Sequence, residues 1–450
     1  MDTSLIFKAY DVRGTYPDQL NEDLARAIGS AFASFVDAPR VVIARDMRPS
    51  GVALVAAFAE GVRAAGVDVL DLGLASTDFL YFASGHYDAP GAMFTASHNP
   101  AQYNGIKMCL AGAKPIGAES GLIQIEEMTH VFLANPASGN LATLQEVSLL
   151  DEWVAHVRSF IDVSNLRPLK IIADTANGMG GFVAPAVFAG LPFDVEIMYP
   201  ELDGTFPNHP ADPLNPENIV DLQRRVKEAG ADIGLAFDGD ADRVFLIDEQ
   251  AQPISGSTTT AMVAASLLDK HPGATILYNV ICSKSVPAVI SEHGGVGVRT
   301  RVGHSYIKST MAETNAVFGG EHSGHYYYRD NFRADSGIIT ALVVLELLSQ
   351  ANVPLSQLVA PFCRYAASGE INTVVKSPSA SVSAITELVA AMGASVDELD
   401  GLTADFGDWW FNLRPSNTEP LLRLNVEAPT DEDVAQHVAD IRALIAEVEA

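Results

Sequence analysis

Four short polar stretches hold the residues that could do chemistry. "TASHNP" (95–100) sets Ser97, His98 and Asn99 between the apolar run "APGAMF" and Pro100. Alone, such residues at a strand end suit an ordinary surface turn as well as a site. "FDGDADR" places Asp238, Asp240 and Asp242 at alternate positions after the strand-like "DIGLAF". Alternate side chains of an extended segment share one side, so these carboxylates repel unless a cation lies among them. Hard oxygen ligands select Mg²⁺ or Ca²⁺. An EF-hand loop is the competing match, with Glu249 as its final ligand. Arg243, however, takes the position where that loop needs glycine, and the flanks read as strands. A Mg²⁺ site is therefore the reading, with Arg243 placed to face an anionic ligand.

"GGEHSGH" (319–325) offers Glu321, Ser323 and His325 among glycines. A carboxylate and a hydroxyl bind sugar hydroxyls, and a histidine carries protons; a polar glycine-rich turn is the open alternative. "RPSNTEP" (414–420) offers Arg414, Ser416, Asn417 and Thr418, an inventory that grips phosphate; an ordinary loop is its alternative. Arg13 in "AYDVRG", Lys107 in "YNGIK", and His304 and Lys308 in "VGHSYIK" add cationic or proton-carrying groups.

The elements that must position these clusters repeat along the chain. Three times an apolar strand-like run leads into a polar turn and a helix-like segment: "RVVIARDMRPSG" (40–51), "KIIADTANGMGG" (170–181) and "TILYNVICSKS" (275–285). Each is followed by two more strand-like runs, and the third run ends in "TASHNP", "DGDADR" and "GGEHSGH" respectively. Strand–helix–strand alternation predicts α/β layers with mostly parallel sheets, whose ligands bind at strand C-terminal ends. From about residue 368 the pattern changes to a smaller α+β module, whose last helix opens at Thr430 with Asp433 in a capping-box position. The predicted domains are 1–149, 150–252, 253–367 and 368–450, carrying the four clusters in order.

The 450 residues exceed one ordinary core, and 48% apolar with 19% charged side chains is a globular balance. A net charge of −28 repels nucleic acid and anionic membranes, so neither is expected as a partner. The three cysteines, Cys109, Cys282 and Cys363, show no metal-binding or disulfide spacing, and suit a reducing cytoplasm. No signal peptide opens the sequence, and "GIITALVVLELL" (337–348) is too short to span a bilayer and reads as a buried helix.

In that order along the chain, "TASHNP", "DGDADR", "GGEHSGH" and "RPSNTEP", supported by "FKAYDVRG" and "NGIK", resemble the α-D-phosphohexomutase superfamily. The bacterial phosphomannomutase/phosphoglucomutase group is the nearest match, over essentially the whole length. The resemblance implies three related α/β/α domains with mixed sheets and a C-terminal domain resembling the TATA-binding-protein fold. It implies that Ser97 is a phosphoserine in the active enzyme, and that Asp238, Asp240 and Asp242 hold Mg²⁺ together with an oxygen of that phosphoryl group. Arg13, Lys107, His98, His325 and Arg243 match positions near the transferring group. Glu321 and Ser323 would grip the sugar, with His304 added to the substrate-binding set. Arg414, Ser416, Asn417 and Thr418 would hold the substrate's phosphate.

The implied activity is an isomerase's: interconversion of hexose 1-phosphate and hexose 6-phosphate (mannose, glucose or both), primed by a hexose 1,6-bisphosphate. The accepting hydroxyl needs a base, for which Lys107 and His325 are the candidates. A phosphoglucosamine mutase is the alternative substrate reading, and a non-catalytic sugar-phosphate-binding protein or a phosphatase the alternative from another class. The histidine in "GEHSGH" and the opening "AYDVRG" depart from the glucosamine pattern. Many relatives carry a lysine near Ile281, and Lys284 follows a few residues later. A monomer is the expected state.

Overall fold

The computed structural model describes residues 3–416 and 421–449. They form two compact units. The first contains the chain up to Ser255 with Gly303–Gly319 and Ser323–Leu358; the second contains Gly256–Val302, Gly320–His322 and the chain from Val359 onward. The expected third domain is thus shared between them.

The first unit opens with β1 (Val12–Thr15), α1 (Glu22–Val36), β2 (Arg40–Arg45), α2 (Gly51–Ala64), β3 (Asp68–Leu74), α3 (Thr77–Tyr87), β4 (Gly91–Phe94) and β5 (Tyr103–Leu110). β6 (Lys114–Pro115), α4 (Leu122–Ala134) and β7 (Leu144–Glu146) complete it, in the sheet order β1-β5-β4-β2-β3-β7 with β6 on β5. β2 pairs in parallel with β3 and β4, whereas β5 runs antiparallel to β4 and β1. The central strands are apolar at consecutive positions because helices cover both faces of a parallel sheet; in β4 every residue is buried.

After α5 (Leu150–Arg158), the second sheet comprises β8 (Lys170–Asp174), β9 (Asp194–Met198), β10 (Ile233–Phe237), β11 (Val244–Asp248) and β12 (Pro253–Ile254). Helices α6 (Gly180–Phe188) and α7 (Val220–Ala229) connect the parallel strands. Its order is β12-β11-β10-β8-β9, with β8 parallel to β9 and β10, and β11 antiparallel to β10. The predicted repeat is therefore physical. β3-β2-β4-β5 and β9-β8-β10-β11 have the same order and the same parallel-to-antiparallel switch. "TASHNP" joins β4 to β5, and "DGDADR" joins β10 to β11, so the two loops occupy the same place in two copies of one plan. "GGEHSGH" sits likewise between the strands Phe318–Gly320 and Tyr326–Tyr328. The apolar run at 337 forms the helix Gly337–Ala351, capped by Ser336 and largely buried.

In the second unit, Thr275–Asn279 and Val296–Thr300 pair in parallel. The C-terminal module is an antiparallel sheet, with Leu421–Ala428 central between Ile371–Val374 and Trp410–Pro415, and the helices Pro378–Ala391 and Asp431–Glu449 supply its apolar core. Thr430 caps the last helix as predicted, accepting from the Asp433 amide at 3.2 Å. Cys109 and Cys282 are buried; Cys363 is exposed.

The two repeats of the first unit meet through their loops. A Cβ on Gly239 would lie 2.4 Å from the Ser97 carbonyl oxygen, so the metal-type loop needs glycine there for the serine turn to approach. Gly239→Ala is expected to cost about 1–3 kcal/mol through this overlap, read as a lower thermal midpoint. Beneath that loop the Met179 amide bonds the Gly239 carbonyl at 2.9 Å. Nearby, His209 lies 3.1 Å from Asp174 at the end of β8. Burial opposes the charge on His209, but Asp174 outweighs it and raises the imidazole above its ordinary value. The stability this pair adds is full below about pH 6.5 and is lost as pH rises through the raised value. Thermal melts should show that decline in the protein and a flatter profile in His209→Gln.

Candidate active site

The turn after β4 holds Ser97 with φ +48, a left-handed conformation uncommon for a serine, and the residue is 4% exposed. Its amide donates to Thr95 Oγ1 at 2.9 Å, and its Oγ donates to Asp238 Oδ2 at 2.7 Å. Strand pairing brings two more candidates to the same sheet end. Arg13 lies opposite Gly105 and Lys107 opposite Met93. Arg13 donates to Asn99 Oδ1 at 2.6 Å and pairs with Asp11. His98 Nδ1 is 3.2 Å from Ser97 Oγ, and burial, with Arg243 and Arg13 nearby, holds its imidazole well below the ordinary value.

The three aspartates after β10 are buried, and their oxygens lie within 4.8 Å of one another. Two cations answer them directly. Lys107 Nζ donates to Asp240 Oδ2 at 2.8 Å and Asp242 Oδ2 at 2.7 Å, and Arg243 Nε donates to Asp238 Oδ2 at 2.9 Å. Thr77, at the start of α3, adds its hydroxyl to Asp240 Oδ2 at 2.6 Å. Burial pushes the Asp238 carboxyl up to about 7, against the pull of Arg243. Asp240 is held far below the usual range, because Lys107 and Thr77 outweigh its burial.

Asp240 Oδ1 and Asp242 Oδ1 remain buried without a hydrogen-bond partner. Three carboxylates against two contacting cations, with one oxygen of each carboxylate within 4.8 Å of the others, fit a hard divalent cation. Burial lowers and the two aspartates raise the Lys107 ammonium, which settles well above its ordinary value. A lysine so held is an ion-pair partner for the two carboxylates.

His325 follows "GGEHSG" and forms an isolated bridge with Arg243. Its Nδ1 is 2.8 Å from Asp335 Oδ2, and Lys308 Nζ is 3.3 Å from Asp335 Oδ1. Lys308 also lies 3.7 Å over the Tyr81 ring. Burial opposes the charge on Asp335, but Lys308 and His325 keep the carboxylate ionised. An ionised acceptor places the imidazole proton on Nδ1 and leaves Nε2 to accept another.

Sequence reasoning missed Asp335, Thr77 and Arg48. The one available sign of Asp335 was its position in "ADSG", ahead of the capped helix at 337. Lys308 was noted only as a lone cation.

The remaining candidates are distributed as follows. His304 opens the helix His304–Thr314 beside Tyr10, with ring centroids 5.4 Å apart. Ser323 lies in the first unit with His325; Glu321, Arg414 and Ser416 lie in the second. Glu321 is buried and accepts from Asn279 Nδ2 at 3.2 Å. Arg414 pairs with Glu370 at 3.0 Å. Asn417 and Thr418 lie outside the described residues. Lys284 donates to Asp405 Oδ1 at 2.6 Å and to the Gly407 carbonyl at 2.8 Å, which gives its ammonium a partner within the second unit.

Fold and site together define a multidomain α/β protein in which a strained serine faces a buried carboxylate triplet across two repeated domains. Comparison with known proteins gives the family. The models for phosphoglucomutase/phosphomannomutase match in all four parts: α/β/α domain I at residues 4–130, domain II at 151–252, domain III at 255–365 and the C-terminal domain at 370–444. The chain belongs to the phosphoglucomutase/phosphomannomutase family. A phosphomannomutase of Salmonella montevideo is 40% identical over 439 residues, covering 96% of each chain. A protein of Xanthomonas campestris named for phosphohexose mutases is 41% identical over 429 residues, covering 94% of this chain and 95% of that one. A crystal structure of a phosphoglucomutase/phosphomannomutase family protein from Burkholderia thailandensis aligns with a TM-score of 0.88 at 32% identity, covering 100% of this chain and 98% of that chain.

Asp335→Asn removes the ionised acceptor while preserving shape, and so lets His325 adopt the wrong tautomer. Turnover should fall about 10²-fold or more, with KM changed little. Steady-state kinetics on the folded variant make the check.

Proposed function

We propose that this protein is a phosphohexose mutase interconverting the 1- and 6-phosphates of mannose, glucose or both, with Ser97 as a phosphoserine carrier. The observation that carries the reading is Ser97 Oγ hydrogen-bonded, at 2.7 Å, to the first carboxylate of a buried triplet. A side chain that forms and breaks a phosphoryl ester needs a cation-rich, water-poor setting. Arg243, Lys107 and Arg13 supply the positive charge. The curated relatives, named for phosphomannose and phosphohexose mutases, support the substrate class.

Moving a phosphoryl group between O1 and O6 poses a reach problem, since those oxygens lie at opposite ends of the sugar. A carried group solves it. The P–O bond to Ser97 breaks as a new one forms to the free sugar hydroxyl, giving a hexose 1,6-bisphosphate. His325 Nε2 takes the hydroxyl's proton, with Asp335 holding the ring, and returns it to the sugar oxygen released in the second transfer; the charge left on Ser97 Oγ between the two transfers is met by the neighbouring cations. The bisphosphate then turns end for end, and its other phosphoryl group returns to Ser97. Transfer passes through a loose transition state, so positioning and charge dominate its barrier.

Asp238, Asp240 and Asp242, with an oxygen of the phosphoserine, would hold Mg²⁺. That ion when bound supplies charge stabilisation to the phosphoryl oxygens. Arg243 spans both sides of this arrangement, with its amide and Nε on Asp238 and its backbone bridged to His325. Glu321, Ser323 and His304 are the proposed sugar contacts. Arg414, Ser416, Asn417 and Thr418 form the proposed clamp for the phosphate that is not transferring. The clamp must accept that phosphate in either orientation, which a guanidinium with hydroxyl and amide donors does. Hexose 1,6-bisphosphate primes the enzyme by loading Ser97.

A monomer acting on a small sugar phosphate is the proposed state. Among the described residues no single helix is long and apolar enough to cross a membrane. A cytoplasmic setting fits the unpaired cysteines.

A coupled assay with mannose, glucose and glucosamine 1-phosphates, primed by trace bisphosphate, tests the reading. Turnover is expected with mannose or glucose 1-phosphate. Intact mass should show a fraction heavier by one phosphoryl group, absent in Ser97→Ala, whose turnover falls to background. Chelation should abolish turnover and added Mg²⁺ restore it. Net phosphate release without isomerisation, or sustained turnover in Ser97→Ala, would remove the assignment.

A further inference from the structure

Arg48 lies just beyond β2, outside all four polar motifs, and is fully buried. Its guanidinium serves a single turn. Nη1 donates to the carbonyls of Pro100 at 2.8 Å and Tyr103 at 2.9 Å. Nη2 donates to the carbonyls of Ser97 at 2.9 Å and Asn99 at 2.6 Å. All four acceptors belong to the segment that carries Ser97. A planar fork with donors in fixed directions can gather four carbonyls; an ammonium, with three donors on a point charge, cannot.

The fork is itself held. Arg48 Nε is 3.2 Å from the buried Asp46 Oδ2, and the Arg48 amide donates to Asp46 Oδ1 at 2.9 Å. The Phe206 ring lies 5.1 Å from Cζ. A Cβ on Gly204 would meet the Arg48 Cα at 2.6 Å, so the second domain presses directly on this residue. Asp46 also hydrogen-bonds Thr95, whose Oγ1 accepts the Ser97 amide. Both backbone groups of Ser97 thus lead back to one buried pair. This accounts for the left-handed φ of +48 at a non-glycine residue, a conformation that persists only where its surroundings over-determine it.

We propose that Arg48, locked by Asp46, is the positioning residue that fixes the Ser97 turn for phosphoryl transfer. The inference rests on Ser97 being the phosphocarrier. A phosphoserine brings about −1.5 to −2 charges to the turn. Carbonyl oxygens that faced it would repel it. Arg48 collects the negative ends of four carbonyls on its own donors, so they are already paired. The turn keeps one shape whether Ser97 is esterified or free, as each half of the cycle requires.

The test compares Arg48→Lys and Asp46→Asn with the wild-type protein. Quenched single-turnover mixing with glucose 1,6-bisphosphate, read by intact mass, gives the rate of phosphoryl loading on Ser97. Steady-state kinetics give kcat and KM, and thermal melts report the fold. We expect loading rate and kcat to fall together, a hundredfold or more in Arg48→Lys and about tenfold in Asp46→Asn, with KM within threefold. A merely structural arginine would lower the melting point and leave the loading rate of the folded protein unchanged. Should Arg48→Lys fail to fold, Asp46→Asn decides, because it retains the guanidinium and weakens its anchor. Folded variants that load Ser97 within threefold of wild type, or that raise KM at unchanged kcat, overturn the proposal. If the wild type loads and the variants load equally, only the role of Arg48 is lost. If the wild type takes up no phosphoryl group on Ser97, the carrier reading falls and this inference with it.

Discussion

The hydrogen bond from Ser97 to Asp238 joins the ends of two separate sheets, and the rest of the site depends on that meeting. A hydroxyl on the turn of one domain touches the first carboxylate of the next, at a depth where neither is accessible to bulk water. Buried charge of this density stands only if every member is answered. Lys107 comes from β5, Arg243 from the loop itself and Thr77 from α3, so the first domain lends the second both a cation and a hydroxyl. The two domains are chemically incomplete apart.

The geometry follows from a duplicated plan. Each sheet turns from parallel to antiparallel at one joint, and backbone groups there are freed from ladder pairing. One copy uses that joint to present a serine, and the other to present carboxylates. Because the joints are equivalent, the same approach brings them face to face, and Gly239 is the concession in side-chain volume that lets them close. The histidine joint of the third repeat reaches the same charges through the bridge of His325 to Arg243.

Much of this was legible in the sequence. Apolar runs followed by polar turns located the strands and joints, and the alternate aspartates marked the buried carboxylate cluster, although they lie on a turn with Ala241 at φ +59 and not on the extended segment expected. The final helix cap and the buried helix at 337 followed from local chemistry, and local rules suffice where the partner is a few residues away. Asp335, Thr77 and Arg48 were not legible, for a common reason. Each acts on residues outside its own element: Asp335 on His325 ten residues back, Thr77 on Asp240, and Arg48 on carbonyls beyond two helices and two strands. A carbonyl leaves no trace in the residue code, so an arginine that serves only backbone looks like any solvated charge. The exposed Cys363 shows the converse, a residue type with a strong burial preference placed at the surface by its segment.

The double ion pair of Lys107 carries a consequence of its own. Its single ammonium bridges Asp240 Oδ2 and Asp242 Oδ2, so one positive charge answers two carboxylates and leaves their Oδ1 atoms without a hydrogen-bond partner. Because that ammonium is carried on β5, the charge balance of the loop after β10 is tied to the placement of that strand in the first sheet.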